Sequence, residues 1–326
     1  MKFGIIGEPC IDFIHRGGKE TKSLGGILYS AVSLAVIAPN DDVYPIMNLG
    51  SDEFDNIVSF LNKFPNIKTD FINRAEHKTR VVNLYYKGLE VEFECPKTGM
   101  LKTYDREENS TEPTLPIDYD WVKPALAQLN GILINMVSGV DITIDTLQKI
   151  RSSFSGYMHL DIHNVVMQTD LEGKRTQSSI NNWEAWCKSS DTLQMNESEL
   201  HVITPEKLGE YEFAERVLTA GDENYGRALA VTRGKAGVSL FRKRRKKVMD
   251  EEYFEIDKSD LAALESNHFV DSTGCGDVFA SSFFYRSIMD GKYDYEASLN
   301  FANRMASKKT KIKGVEELHK LKGYEF

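Results

Sequence analysis

The sequence predicts an α/β fold, and three observations lead there. Short apolar runs that read as buried strands alternate with amphipathic runs that read as helices. A β-rich interlude from Ile67 to about Glu94 breaks that alternation. Near the C-terminus, Asp271-Ser272-Thr273-Gly274-Cys275-Gly276-Asp277-Val278-Phe279 follows the apolar pair Phe269-Val270 and opens a long helical run to Met289. That last layout is a turn feeding a helix N-terminus. Two glycines around one small residue let the amides of Gly274, Cys275 and Gly276 converge with no Cβ in the way. Amides gathered at a helix start attract an anion, and an Asp in the first turn is placed to take a proton from a hydroxyl.

The elements follow in order. Phe3 to Ile6 reads as a buried strand ending at Gly7, with Asp12 shortly after it. Ligands gather at the carboxyl ends of strands in open α/β sheets, so Asp12 is a candidate for hydroxyl recognition. His15 to Ser23 is polar and leads to Gly25-Gly26, where a helix begins whose Ile27, Leu28, Ala31, Val32, Leu34 and Ala35 cover one face. Pro39 stops it. Val43 to Leu49 is a second strand, and Ser51 or Asp52 is expected to cap a helix from Phe54 to Phe64. Between Ile67 and Glu94, Phe71-Ile72, Val81 to Tyr86 and Val91 to Glu94 suggest a small accessory sheet with a hairpin turn at Lys87-Gly88. Thr98 to Pro116 reads as a long polar surface loop.

Strand and helix alternate again afterwards. Gly131 to Met136 and Tyr157 to Asp161 are strands, with a helix from Ile144 to Ile150 between them. Asp191 to Met195 is another strand, and Asn196 with Glu199 fits a reciprocal capping pair at the next helix start. Gly226 to Thr232 runs into the turn Thr232-Arg233-Gly234-Lys235-Ala236-Gly237 and a strand from Val238 to Phe241. The basic run Arg242 to Lys247 reads as a solvated hairpin turn before the β pattern resumes. A last helix from Tyr295 to about Lys309 carries Asn303 among packing residues.

Composition narrows the classes. The chain has 326 residues, enough for one large α/β domain or two ordinary ones, and 41% of them are hydrophobic, enough for a sizeable core. A net charge of −9 argues against a general nucleic-acid binder. The four cysteines, Cys10, Cys95, Cys187 and Cys275, form no CxxC pair. His159 and His163 on a strand and its exit are weak evidence for a metal. No apolar run approaches the roughly 18 residues of a membrane span. The N-terminus is interrupted too early for a signal peptide, so a reduced, soluble, cytoplasmic protein is expected.

The stretch from Asp271 to Phe279 resembles the C-terminal signature of the ribokinase-like (PfkB) carbohydrate and nucleoside kinases, Asp-Thr-x-Gly-Ala-Gly-Asp-x-Phe, with Ser272 in the Thr place and Cys275 in the Ala place. The resemblance extends from about residue 3 to 314. It implies a single domain over 1–326: a three-layer α-β-α ribokinase-like fold with a small β-sheet lid formed by about 11–24 and 67–114. It implies Asp277 as catalytic base and Gly274, Cys275 and Gly276 as an anion hole. Asp12, Gly25, Gly26 and Asp161 would contact substrate, and Arg80 or Tyr85 are further lid candidates. Asn196, Glu199, Thr232, Gly234, Gly237 and Asn303 would border the nucleotide, with Glu199 reaching Mg2+ through water. ATP and Mg2+ are the implied cofactors, with a monovalent cation as a further candidate. One departure stands out. The substrate-binding Asn that many members carry after Gly-Gly is absent from Ile27-Leu28-Tyr29-Ser30, so that side-chain contact is either missing or supplied by Tyr29 or Ser30.

The favoured function is an ATP-dependent kinase acting on a hydroxyl of a sugar or sugar-like molecule. The alternatives are a nucleoside kinase of the same fold and a catalytically silent ligand-binding protein. A dinucleotide-binding oxidoreductase fits the α/β pattern, but Gly4-Ile5-Ile6-Gly7-Glu8-Pro9 lacks the glycine fingerprint. No P-loop is present. Neither nucleic acid nor membrane is expected as a partner, and a homodimer through the lid sheet is the one assembly considered.

Overall fold

A computed structural model describes residues 1–86, 93–94, 101–102, 106–111, 114–169, 175–219, 228–248, 251–264, 269–289 and 294–323. Its first part runs β1 (Lys2–Ile6), β2 (Pro9–Arg16), β3 (Lys19–Gly26), α1 (Leu28–Ile37), β4 (Asp42–Gly50), α2 (Phe54–Leu61), β5 (Ile72–Ala75) and β6 (Arg80–Tyr86). The short strands β7 (Phe93–Glu94) and β8 (Leu101–Lys102) precede β9 (Arg106–Ser110) and α3 (Tyr119–Leu126). Next come β10 (Gly131–Asn135), α4 (Ile144–Ser153), β11 (Tyr157–Asp161), the hairpin of β12 (Met167–Thr169) with β13 (Arg175–Gln177), and α5 (Trp183–Cys187). The chain continues with β14 (Thr192–Asn196), α6 (Glu197–Ile203), α7 (Glu210–Thr219), β15 (Ala228–Thr232), β16 (Val238–Val248) and β17 (Glu251–Leu261). It closes with α8 (Cys275–Met289) and α9 (Tyr295–Lys309).

One nine-stranded sheet organises these elements in the order β17-β16-β15-β14-β11-β10-β1-β4-β5. Its strands are parallel from β5 to β15, and β16 and β17 add an antiparallel hairpin at one edge. The chain order reverses between β1 and β10, the kind of place where an open α/β sheet leaves a crevice at its strand ends. Strand pleating explains the two cores. On β1, Phe3 and Ile5 point to one face and pack with α1, α8 and α9, while Ile6 points to the other and joins residues of α3, α4, α6 and α7. This is a three-layer α-β-α sandwich.

A smaller four-stranded sheet has the order β3-β2-β6-β9. Its makeup differs from the reading of the sequence in three respects. Phe93 and Glu94, expected in it, pair with β8 in a separate two-stranded sheet. Ile72 pairs in parallel with Met47 and packs into the main core, so β5 is an edge of the large sheet. The expected polar loop from Thr98 to Pro116 contains β9, which pairs antiparallel with β6; its charged side chains hide a strand that needs only backbone partners. The expected turn at Lys87-Gly88 lies outside the described residues.

Two further expectations change. The basic run Arg242 to Lys247 is strand rather than turn, because β17 answers it with acid: Arg242 and Arg244 both reach Asp257, and Lys246 reaches Glu255. Neither Ser51 nor Asp52 caps α2; Glu53 holds the N-cap position without a side-chain cap, and Asp52 instead accepts hydrogen bonds from the amide and hydroxyl of Thr79. No helix of the described residues is long and apolar enough to cross a membrane.

Candidate active site

A cleft of about 290 Å³ lies at the carboxyl ends of the parallel strands, with the small sheet along one side. Strand register lines up its floor. Asn135 at the end of β10 is level with Asp161 on β11, Asp161 with Gln194 on β14, and Asn196 with Thr232 on β15. Asn135, Asp161, Asn196 and Thr232 end their strands, and Gln194 stands two residues before the end of β14. Asp161, Gln194, Asn196 and Thr232 all line the cleft, as do Asp12, Gly26, Glu199, Gly274, Gly276 and Asp277.

Asp277 sits in the first turn of α8, whose position is fixed by dense packing. Phe283 stacks between Phe279 and Tyr295, Phe284 meets Phe3 edge-on, and Ser281 hydrogen-bonds Ser33 at 2.7 Å, so that α1 and α8 approach closely. The Asn135 side-chain amide donates to Asp277 Oδ1 at 2.8 Å. Burial pushes the Asp277 carboxyl up to about 6, against the lowering effect of that hydrogen bond, the helix start and the Lys309 charge. A carboxylate so tuned is a competent base near neutral pH.

The turn before it is shaped by glycine. Gly274 has φ +81°, and a Cβ there would lie 2.2 Å from Cδ1 of the Tyr29 ring. The Cys275 amide donates to Ser272 O at 3.1 Å, closing the turn, so that amide is engaged within the loop. Gly276 lines the cleft, and its carbonyl accepts from Gln194 Nε2 at 3.3 Å.

Another part of the cleft wall comes from β2, β3 and the main-sheet floor. Asp12 is buried beside Cys10, whose thiol reaches Asp12 Oδ1 at 3.3 Å. Gly25 is required there, because a Cβ would lie 2.3 Å from Asp12 Oδ2. Gln194 Nε2 donates to Asp161 Oδ2 at 3.0 Å, and the buried Gln194 side chain also meets the His159 ring. Burial first, then the charges of Glu199 and Asp277, push the Asp161 carboxyl far above the usual range. Ser30 accepts from Asn135 at 3.3 Å and is fully buried, and Tyr29 lies under Gly274. On β6 the alternation decides between the two lid candidates: Arg80 lines the cleft with Val82 and Leu84, whereas Tyr85 faces away and stacks on His15 at 4.3 Å. Arg80 is held by Glu8, at 3.7 Å.

On the other side, Asn196 and Glu199 form the expected capping box at the start of α6. Glu199 Oε2 accepts from the Asn196 amide at 2.7 Å and Oε1 from its side-chain nitrogen, while burial pushes the carboxyl up. Both oxygens are thus engaged with Asn196. A metal reached through bridging water is compatible with this donor set, since Mg2+ keeps most of its waters and takes substrate phosphates. No cluster of three or more potential metal ligands occurs among the described residues. His159 is neutral core: it is fully buried, bonded to Thr192 at 2.8 Å, and pushed down to about 3 by desolvation.

Three residues expected to border the nucleotide do not line this cleft. Gly234 and Gly237 shape the turn after β15 and do not line the cleft; Gly237, at φ +96°, abuts Leu261 O. Asn303 ties α9 to Ala262 O at 2.9 Å. The Arg233 side chain pairs with Glu197 and Glu210. The reading of the sequence missed Asn135, Gln194, Glu108 and Asn164; for Asn135 and Gln194 the signal was a polar residue at or near the end of an apolar strand.

Residues 172–320 match the family model described as pfkB family carbohydrate kinase. No curated protein matches the sequence. Solved structures share the fold along nearly the whole chain. Ribokinase from Thermotoga maritima is 17% identical, with 97% of this chain and 95% of that one covered and a TM-score of 0.68. A pyrophosphate-dependent kinase in the ribokinase family is 16% identical, with 96% of each chain covered and a TM-score of 0.70. The Burkholderia thailandensis nucleoside kinase, in complex with inosine, is 12% identical, with 97% and 92% covered and a TM-score of 0.68. The C-terminal part of the chain thus matches the pfkB carbohydrate kinase model, and the chain as a whole shares its fold with ribokinase-family kinases.

Proposed function

We propose that the chain is an ATP-dependent small-molecule kinase that phosphorylates a hydroxyl of a sugar-like acceptor. The observation that carries this reading is Asp277: a half-buried carboxylate in the first turn of α8, pushed up to about 6, beside the glycine turn and at the floor of the cleft. The acceptor hydroxyl gives its proton to Asp277. Its oxygen bonds to the γ-phosphorus as the bond to the β-phosphate oxygen breaks, and the departing ADP keeps the electron pair. The helix start at Gly274 to Gly276 favours the charge that develops on the transferring group. Mg2+, reached through water by Glu199, would neutralise donor phosphate charge. Asp12 and Asp161 offer carboxyl groups to hydroxyls along one side of the cleft, which favours a polyhydroxy substrate. The small sheet would serve as a lid that keeps water from competing as acceptor.

The test is product release from Mg-ATP, and separately from pyrophosphate, against a panel of sugars, sugar acids, polyols and nucleosides, with Asp277→Asn alongside. Turnover with one acceptor class that falls by at least ~10²-fold in Asp277→Asn supports the reading. Equal turnover in the two proteins sinks Asp277 as base. Turnover with pyrophosphate alone would move the donor assignment.

A further inference from the structure

Lys309, the last residue of α9, is fully buried. Its ammonium donates to Ile312 O at 3.0 Å, Asp271 Oδ2 at 3.2 Å and Asp271 O at 3.3 Å, and it sits 5.5 Å from the centre of the Tyr29 ring. Two main-chain carbonyls, a carboxylate and an aromatic face are the surroundings a bare monovalent cation would take. The cage is tied to the glycine turn. Asp271 Oδ1 accepts from the Thr273 amide at 2.9 Å, and Oδ2 also from the Gly314 amide at 3.4 Å. The amides of Val270 and Asp271 both donate to Thr310 O, at 2.7 and 3.0 Å. Tyr29, the fourth wall, is the ring on which Gly274 rests.

From this arrangement we infer that the Lys309 ammonium is a built-in monovalent cation that holds the turn from Asp271 to Asp277, so that catalysis needs no K+ or Na+. The inference rests on the kinase reading above and corrects the expectation of a monovalent cation cofactor for this cage. The oxygens available beneath the turn are already satisfied by a tethered positive charge, and a second cation sharing them would meet like-charge repulsion at contact distance. Lys309 is a positioning residue: it touches Asp271, Asp271 fixes Thr273, and the next residues are Gly274 to Asp277. Its charge also reaches Asp277, whose carboxyl it helps to lower.

The experiment begins with the unaltered protein. Turnover is measured with tetramethylammonium as the sole monovalent cation and then with KCl or NaCl at equal ionic strength. The expected change is less than about 2-fold, against the tenfold-or-greater activation that an obligatory ion with millimolar affinity would give on saturation. Activation of that size overturns the proposal. In Lys309→Met, kcat is expected to fall by about 10²-fold, the scale of a misplaced catalytic constellation, with acceptor KM little changed. In Lys309→Ala, K+ or methylammonium is expected to restore part of kcat and to raise the thermal midpoint relative to tetramethylammonium, while the parent protein shows no such thermal response. Variants with full activity, or a parent whose midpoint climbs selectively with K+, refute it. The thermal comparison needs no turnover, so it separates this proposal from the kinase reading, and the parent arms decide it even if both variants fail to fold.

Discussion

Replacing Asn135 by Leu is the sharpest probe of how the cleft tunes its base. Leu has a similar shape but cannot donate, so the 2.8 Å bond to Asp277 Oδ1 disappears while the side chain still fills its place at the end of β10. A hydrogen bond to a charged group contributes about 1.5–3 kcal/mol. One pKa unit corresponds to about 1.4 kcal/mol, so the Asp277 carboxyl should rise by about 1–2 units above its present value. On the kinase reading proposed above Asp277 acts as an ionised base, so the acid limb of kcat/KM, expected near pH 6, should move to about 7–8. From the ionised fractions, kcat/KM should drop by about 5- to 50-fold at pH 6 and by less than about 2-fold at pH 9. The assay is kcat/KM across pH 5 to 9 for both proteins. An acid limb that stays in place, or a uniform loss at every pH, would refute the claim that Asn135 tunes Asp277 through this bond.

Three more predictions follow from the same geometry. Because burial raises the Asp277 carboxyl from 3.8 to about 6, the folded state binds that proton more tightly than the unfolded chain does; its contribution is complete below pH 3.8 and is lost as pH rises through 6. Asp277→Asn removes the penalty and should be more stable than the parent by up to about 3 kcal/mol at pH 8 but not at pH 4, as denaturant titrations at the two pH values will show. Gly274→Ala forces a Cβ into the Tyr29 ring at positive φ and should lower the thermal midpoint as well as turnover, with strain of at least about 1–3 kcal/mol; an unchanged midpoint would mean that the turn is looser than described. Gly25→Ala pushes against Asp12 and should raise acceptor KM about tenfold or more while leaving nucleotide binding, measured by calorimetry, within about 2-fold.

The sequence by itself determined the α/β alternation, the glycine turn before α8, Asp277 in its first turn and the Asn196–Glu199 capping box. All of these are written in neighbouring residues, where spacing along one strand or helix decides the outcome. The structure alone decided what meets across the sheet. Asn135, Asp161 and Gln194 come from strands tens of residues apart, and only parallel register places them side by side. The same holds for β9 and for the basic run of β16, each polar enough to read as loop or turn until a partner strand supplies hydrogen bonds and opposite charge. Lys309 is the clearest case. At the end of an amphipathic helix it reads as one more solvated lysine; the Ile312 carbonyl just past the helix is a local partner, but Asp271, whose carboxylate meets the charge, is brought to it by the tertiary path of the chain. Local pattern fixes what a segment can become, but the cost of burying a charge is met only by partners that tertiary packing delivers.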